Sequence, residues 1–515
     1  MRRRRLLALT LAMMLGLSGC AARPVGEDEE KPAPTLPRAS VEWTAPDGDF
    51  IYGEPGLWTL YLPSRNGLNL AAQHVQSTPG ILRSEEAEAI ARELLAYPAN
   101  QQVDALGGGV QLALAAENPV EYSGGVVTVN LASSALGLGY RGVYTLGLAL
   151  ASTLCELENV RCVNVLVAGQ SVSLDTGGML PMGSVTAHPG ENLPVLWEQM
   201  EARKTPVGSD AAQTPLTSYM TLYFPLDNGQ GIICENRTLT FPGQTPGLMA
   251  SAILEALSQG AMYLTGVTEM PDLMSQMIYE PLTSELADGG RMITLSFREG
   301  VEAEWQAAGV DPACLAAAIC YSLTTFIPGT AGVAIRVGDR PMTSLRSEKF
   351  GEVPVLGGLL RRSGFGNYLM GQTTVYFIRD GRLAPAEKSV DRGRADSLRA
   401  QLAALTEGPD ARERAEGLEA ALPEGTGEED VLGVALEGDA VLVNLSESFR
   451  SGIQRMGREA ETLLCYSMVN TLCLNSGARR VCFFFEGEQV EYIAGTVYWA
   501  GVFDYNTGLC EESFG

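Results

Sequence analysis

The sequence predicts an α+β chain of three tandem small domains, each with two helices packed on one face of a mixed or antiparallel sheet. Three observations carry this. A β-rich pentapeptide that runs into a hairpin turn occurs three times, at Thr59–Pro63, Thr221–Pro225 and Thr374–Ile378. Behind each copy, further strand and helix patterns follow in one order. The span from the tyrosine of the first strand to the valine of a closing strand is about 100 to 110 residues each time, from Tyr61 to Val163, Tyr223 to Val333 and Tyr376 to Val481. A recurring unit of that size is a tandem domain that can bury its own core, not a solenoid repeat.

The elements follow in order. The opening strands run into Arg65-Asn66-Gly67, Asp227-Asn228-Gly229 and Arg379-Asp380-Gly381. Such steps favour the positive φ angles of a tight hairpin. A helix comes next, over Ala87–Leu95 behind the cap Ser84, over Leu248–Leu257 and over Ser397–Leu405. Turn residues at Ser123-Gly124-Gly125, Asp288-Gly289-Gly290 and Glu437-Gly438-Asp439 precede strands at Val126–Leu131, Met292–Phe297 and Val441–Ser446. In the third unit the apolar run Val431–Leu436 before the turn makes this a hairpin.

The second helix is clearest in the middle unit. Asp311 is a cap and Pro312 fits the first helical position. Leu315, Ile319, Leu323 and Ile327 then form one apolar stripe. Leu464, Met468 and Leu472 repeat the stripe, and Cys-Tyr-Ser recurs at 320–322 and 465–467. Leu146, Leu150 and Leu154 supply it in the first unit. Closing strands follow at Val163–Val167, Val333–Val337 and Val481–Phe485.

Residues 1–19 read as a lipoprotein signal peptide. Arg2 to Arg5 are its positive start, and the apolar run Leu6–Leu17 is shorter than the roughly 20 residues of a membrane span. Leu17-Ser18-Gly19-Cys20 resembles a bacterial lipobox, which implies that Cys20 becomes the lipidated first residue. Residues 20–55 carry Glu27-Asp28-Glu29-Glu30 and, among their prolines, Pro24, Pro32, Pro34 and Pro37. Such a stretch cannot bury a core and reads as a disordered tether. The expected domains are 56–180, 214–345 and 371–510, joined by linkers 181–213 and 346–370.

Composition excludes several functions. The 515 residues include 61 acids and 36 bases, a net charge of −25. That argues against nucleic acid, which needs a basic face to neutralise phosphates. His74 and His188 are the only histidines, so chemistry built on a histidine pair is nearly excluded. There is no CxxC for zinc and no D-x-D-x-D-G loop for calcium. No catalytic residue, metal or cofactor is assigned, and an enzyme is not expected.

Nine cysteines remain beside Cys20. Cys155 and Cys162, and again Cys473 and Cys482, flank a helix-to-strand turn. A disulfide in each pair suits an exported protein; burial as small apolar groups suits the residues equally. Cys314, Cys320 and Cys465 fall in apolar helical runs and read as core. Gly137 to Gly142 fits GxGxxG, but Ala132–Leu136 separate it from the strand, so it reads as the start of a helix. Arg361-Arg362 and Arg479-Arg480 read as solvated basic spots. The aromatic tail Tyr498-Trp499, Val502-Phe503 and Tyr505 reads first as cover for a sheet edge, with a partner-binding patch as the other reading.

Three segments of the last unit point to a family. Leu405-Thr406-Glu407-Gly408-Pro409, Leu422-Pro423-Glu424-Gly425-Thr426 and Val443-Asn444-Leu445-Ser446 resemble, in order, the Leu-x-x-Gly-Pro, Leu-Pro-x-Gly-Thr and Val-Asp-Leu-Ser segments of the GerM-type (GerMN) sporulation and spore-germination domain. That domain also opens on a Leu-Tyr-Phe strand and a short glycine turn. The chain thus resembles three tandem copies. The middle copy has Gln259-Gly260-Ala261 where Gly-Pro is expected, and the first copy diverges most, with Tyr97-Pro98. The resemblance implies a fold like the ring-building domains of secretion channels. It also implies a protein that assembles with other envelope proteins in Gram-positive bacteria, often around sporulation, and it carries over no catalytic residues. With Cys20 it implies a lipid-anchored scaffold on the extracytoplasmic face of the cell membrane. The alternative is a solute-binding lipoprotein of a transporter, which predicts two large lobes around a ligand cleft.

Overall fold

A computed structural model describes residues 43–52, 56–80, 83–287, 289–391 and 397–511. The signal peptide, Cys20 and most of the tether lie outside the described residues, as does the side chain of the expected cap Ser84.

The described chain opens with β1 (Asp49–Tyr52). Unit 1 holds β2 (Leu57–Pro63), β3 (Leu70–Gln76), α1 (Arg83–Ala96), β4 (Val120–Ser123), β5 (Val126–Leu131), α2 (Gly139–Leu154), β6 (Cys162–Val167) and the short β7 (Gln170–Ser171). Then α3 (Leu193–Glu201) leads to unit 2. This has β8 (Leu216–Pro225), β9 (Ile232–Phe241), α4 (Pro246–Ser258), the one-turn α5 (Leu273–Gln276), β10 (Met277–Glu285) and β11 (Arg291–Phe297). It closes with α6 (Val301–Ala307), α7 (Pro312–Phe326), β12 (Thr330–Val337) and β13 (Arg340–Pro341). A small hairpin, β14 (Leu345–Ser347) with β15 (Gly351–Val353), precedes unit 3. Unit 3 has β16 (Met370–Arg379), β17 (Arg382–Asp391), α8 (Leu398–Thr406), α9 (Ala411–Ala415), β18 (Val431–Glu437) and β19 (Ala440–Leu445). After it come α10 (Glu447–Met456), α11 (Arg458–Ser476), β20 (Arg480–Phe485) and β21 (Val502–Asp504).

Each unit therefore runs hairpin, helix, hairpin, helix, strand, and the α+β class is what the structure has. Its sheets are small and divided. The opening hairpins β2–β3, β8–β9 and β16–β17 are separate two-stranded antiparallel sheets. The second hairpin and the closing strand make a mixed sheet, antiparallel between β4 and β5 and parallel between β5 and β6, with the same pattern in β10–β11–β12 and β18–β19–β20. The parallel step needs a crossover, and the second helix supplies it. The turn chemistry is as the sequence requires: Asn228 and Gly229, and Asp380 and Gly381, take positive φ at the hairpin tips.

A two-stranded hairpin leaves the outward amides of both strands without a ladder partner. In every unit a hydroxyl on the second helix takes one of them. Tyr61 N–H donates to Thr153 Oγ1 at 2.9 Å, Tyr223 N–H to Ser322 Oγ at 3.0 Å, and Tyr376 N–H to Thr471 Oγ1 at 3.0 Å. These are the three tyrosines that the sequence pattern aligns. The Cys-Tyr-Ser recurrence is not an equivalence, because Ser322 stands where Thr471 stands. Ser467 lies one helical turn earlier and donates to Tyr376 O at 2.6 Å.

Four sequence expectations change. Asp49–Tyr52, placed in the tether, is a strand paired in parallel with Val434–Glu437. Asp49 takes two bonds from Arg399, at 2.6 and 2.8 Å. Gly433 makes room for it, since a Cβ there would stand 2.4 Å from Pro46 O. Within 181–213, read as linker, Asn192 caps α3, and Leu193, Leu196 and Met200 are buried. Within 346–370, Leu360 bridges to Val333 and Phe365 is buried. Finally, units 1 and 2 do not bury separate cores: one apolar cluster runs from Trp58 to Leu369, and a second, Val375 to Phe503, belongs to unit 3. The physical reason is α7, buried on all sides, which needs neighbours from both units.

The aromatic tail covers an edge. β21 pairs antiparallel with β20, and Trp499 packs edge-on against Phe483 and Phe485 at 5.2 and 5.5 Å. Glu461, wholly buried on α11, accepts from the amides of Ala494, Thr496 and Val497 and from Trp499 Nε1 at 2.9 Å. Burial alone would raise this carboxyl, but the donors around it hold it below its ordinary 4.5. Among the described residues, no single helix is long and apolar enough to cross a membrane.

Two predictions follow from this packing. Thr471→Val leaves the Tyr376 amide buried and unpaired, and should cost about 1 to 3 kcal/mol, read as a lower urea midpoint at constant slope. Glu461 has a lower pKa folded than unfolded, so its stabilisation is present above pH 4.5 and fades as pH falls through the folded value. Trp499 should therefore become accessible to iodide quenching in that acidic window. Glu461→Gln should be less stable at neutral pH and show a flatter acid dependence; an unchanged acid profile would contradict the assignment.

Candidate functional site

Of the residues expected to carry function, Cys20 lies outside the described residues. Of the two readings of Cys155, Cys162, Cys473 and Cys482, this structure has the free thiols, with no bridge between them. Burial pushes the thiols of Cys155, Cys473 and Cys482 up to about 11 and that of Cys162 up to about 12. These side chains behave as small apolar groups packed beside strands. His74 sits by Thr59, and His188 bonds Glu191 at 2.9 Å. Gly139 opens α2 at positive φ, so the GxGxxG stretch is a helix start. Among the described residues, no group of three or more His, Cys, Asp or Glu could hold a metal ion.

What the structure brings together instead is the junction of the three units. Asn164 on β6 donates to Thr221 on β8 at 2.9 Å. Ser184 donates to Asn164 Oδ1 at 2.8 Å, and Asn236 donates to Ser184 and Thr221. This small polar network lies buried between the sheet of unit 1 and the hairpin of unit 2. The turn Ser123-Gly124-Gly125 reaches the other units. Ser123 Oγ donates to Met370 O at 2.7 Å, and the Cys234 thiol donates to Ser123 O at 3.0 Å. Gly124 has positive φ and a Cβ there would stand 2.2 Å from Cys234 O, so glycine is required.

A buried ion pair fixes the same junction. Arg362, read from sequence as solvated, is buried and bonds the Glu121 carboxylate of β4. Its guanidinium also donates to Thr325 Oγ1 at 2.5 Å and lies 3.8 Å from the ring centroid of Tyr321, both on α7. Burial alone would lower the Arg362 pKa; the Glu121 charge reverses this and holds it above its ordinary value. No signal around Arg361-Arg362 distinguishes this residue from its exposed neighbours. Its partner is 241 residues away.

Where the units meet, a cleft of about 1260 Å³ opens, lined by Tyr122 and Arg161 of unit 1, Tyr219 and Tyr263 of unit 2, and Gln372 and Leu474 of unit 3. A second cavity of about 420 Å³, lined by Trp58, Glu86 and Glu156 among others, lies between units 1 and 3. The wall of the larger cleft is set by a second buried pair, Glu235 with Arg237. Glu235 also accepts the amides of Met262 and Tyr263, which holds those two exposed side chains at the rim. Arg237 donates to Gly260 O, and Gly260 takes positive φ like Gly408. The helix-ending glycine is thus kept in the middle unit although the proline is not. The cleft offers stacking and hydrogen-bonding groups of both charges.

Residues 374–491 match the family model described as "Germane: Sporulation and spore germination". Residues 374–491 form a Germane domain. The Germane match spans β16 to the loop after β20 and contains the Tyr376–Thr471 bond. Among solved structures, the chain is similar to "Tandem GerMN domains of the sporulation protein GerM from Bacillus subtilis", at 15% identity and a TM-score of 0.23, over 57% of this chain and 100% of that one. It is also similar to a crystal structure from Clostridium perfringens described as a "Putative Lipoprotein", at 19% identity and a TM-score of 0.19, over 26% of this chain and 87% of that one. No curated protein matches the chain. At those TM-scores the Germane assignment rests on the sequence match alone.

Arg362→Met should leave the Glu121 carboxylate buried without its cation and cost about 3 to 5 kcal/mol in denaturant unfolding. Adding Glu121→Leu should recover most of that loss. A cost as small as that of an exposed pair would show that the junction does not depend on it.

Proposed function

We propose that this protein is a lipid-anchored scaffold on the extracytoplasmic face of the cell membrane, working in sporulation or spore germination by assembling other envelope proteins. The observation that carries this reading is the Germane unit at 374–491. Units 1 and 2 repeat its element order and its tyrosine-to-hydroxyl bond, which supports reading them as divergent copies of the same domain. The arginine start, the apolar run and Leu17-Ser18-Gly19-Cys20 support a lipidated Cys20. A diacylglyceryl group with more than one acyl chain would hold the chain firmly, where a single chain binds only marginally. On this reading the chain works through surfaces and not through catalysis.

The cleft between the units gives the solute-binding alternative a specific observation, since its walls carry Arg161, Tyr219 and Tyr263. A transporter permease recovered by crosslinking from intact cells would favour it.

The test of the main reading starts at Cys20. Cys20→Ser should abolish labelling by a fatty-acid analogue and move the protein from the membrane fraction to the soluble one. Deleting the gene should lower spore yield or germination, and the wild-type copy, but not the Cys20→Ser copy, should restore it. Unchanged fractionation of Cys20→Ser would overturn the anchor, and normal spores without the gene would overturn the role.

A further inference from the structure

The three mixed sheets end on the same edge, and the chain adds a further strand to one of them. On unit 3, β1 lies in parallel along Val434–Glu437 of β18. On unit 1 no strand pairs with the outer side of β4 among the described residues, but its side chains are buried or half-buried and Ser123 Oγ at its end donates to Met370 O of β16. On unit 2, β10 is the edge of its sheet, and among the described residues no other strand pairs with its outer side. The edges can be aligned residue by residue. Ile293 of β11 faces Val333 of β12, as Val441 of β19 faces Val481 of β20. Leu282–Ser284 therefore stand where Ala435–Glu437 stand.

We propose that this edge of β10 docks an extended segment of another envelope protein, added in parallel as β1 is added to β18. The inference rests on the scaffold reading above. The backbone is set for it. Leu286 N–H donates to Gly290 O across the turn at 2.7 Å. Pairs alternate from there, so Thr283 and Glu285 turn their N–H and C=O groups away from β11. Register shifts between Met277 and Leu282, together with Pro281, end the usable stretch at its start. What remains is as long as the four residues that β1 covers. On that stretch Leu282 is exposed and apolar, at 59%, and the residues after it are exposed as well.

The occupant differs from β1 in chemistry. On β18, Asp49 reaches the Val434 amide at 3.3 Å and is clamped by Arg399. On β10 the residue before the paired stretch is Pro281, which has no N–H, and the strand carries Glu280 and Glu285. An apolar strand with Lys or Arg fits such an edge, and a second copy of this acidic chain, at −25, does not.

The test uses the full chain in cells, with a photoreactive residue in place of Leu282 or, separately, of the exposed Val207. The expected result is a Leu282 adduct with a different protein. Thr283→Pro, which removes an outward N–H, should lower it by at least about ten-fold, while Thr283→Ala, which keeps that N–H, should leave it within about two-fold. Glu280→Lys with Glu285→Lys should weaken it as well. If Thr283→Pro lowers the melting temperature, Glu285→Pro removes the other outward N–H in its place. An adduct that survives loss of both N–H groups, or one made of two copies of this chain, overturns the proposal. Adducts at Val207 but none at Leu282 overturn the edge and leave the scaffold standing; adducts at neither position overturn both.

Discussion

The fold depends on how a hairpin two strands wide is held. Such a hairpin has no sheet to join and cannot stand in water alone. In each unit it is fixed by apolar packing against the second helix and by a directional contact that all three share, the amide of Tyr61, Tyr223 or Tyr376 on a helix hydroxyl. The hydroxyl must be short and must project from the helix face that meets the strand, so Thr153, Ser322 and Thr471 are alternatives for one position. Once that bond is set, the register of hairpin on helix is set, and the parallel crossover to the closing strand follows from it.

This explains what could be read from the sequence. Strand alternation, the Asn-Gly and Asp-Gly turns, and the Asp311-Pro312 helix start are local signals, and each lies where the pattern put it. The triple order of elements is legible because each unit carries those signals within about 110 residues. The one local signal that misled was Cys-Tyr-Ser. A tripeptide shifted by one helical turn still presents the same face, so periodicity cannot tell Ser467 from Thr471 as the partner of Ser322.

What could not be read is non-local. Asp49–Tyr52 has no strand character beyond four residues beside a proline-rich stretch. It becomes a strand because Gly433 leaves room and Arg399 takes the charge, both more than 340 residues later. Arg362 looks like any surface arginine until Glu121 and Tyr321 surround it. The shared core of units 1 and 2 is hidden for a related reason: an apolar helix such as α7 has the same composition whether one unit or two enclose it.

The chemistry of the junction then has a physical logic. Three units of one architecture present similar apolar faces, and apolar contact alone would let any face meet any other. Polar groups remove that freedom, because a buried amide or carboxylate without its partner costs more than the matched pair contributes. Asn164 is bonded by Thr221 and Ser184, and Glu121 meets its cation in Arg362. Matched, these contacts add little net stability; mismatched, they penalise every other arrangement. The junction is therefore polar where the units must recognise one another, whereas each hairpin–helix contact, where connectivity already settles the choice, needs only its apolar packing and the shared tyrosine-amide bond.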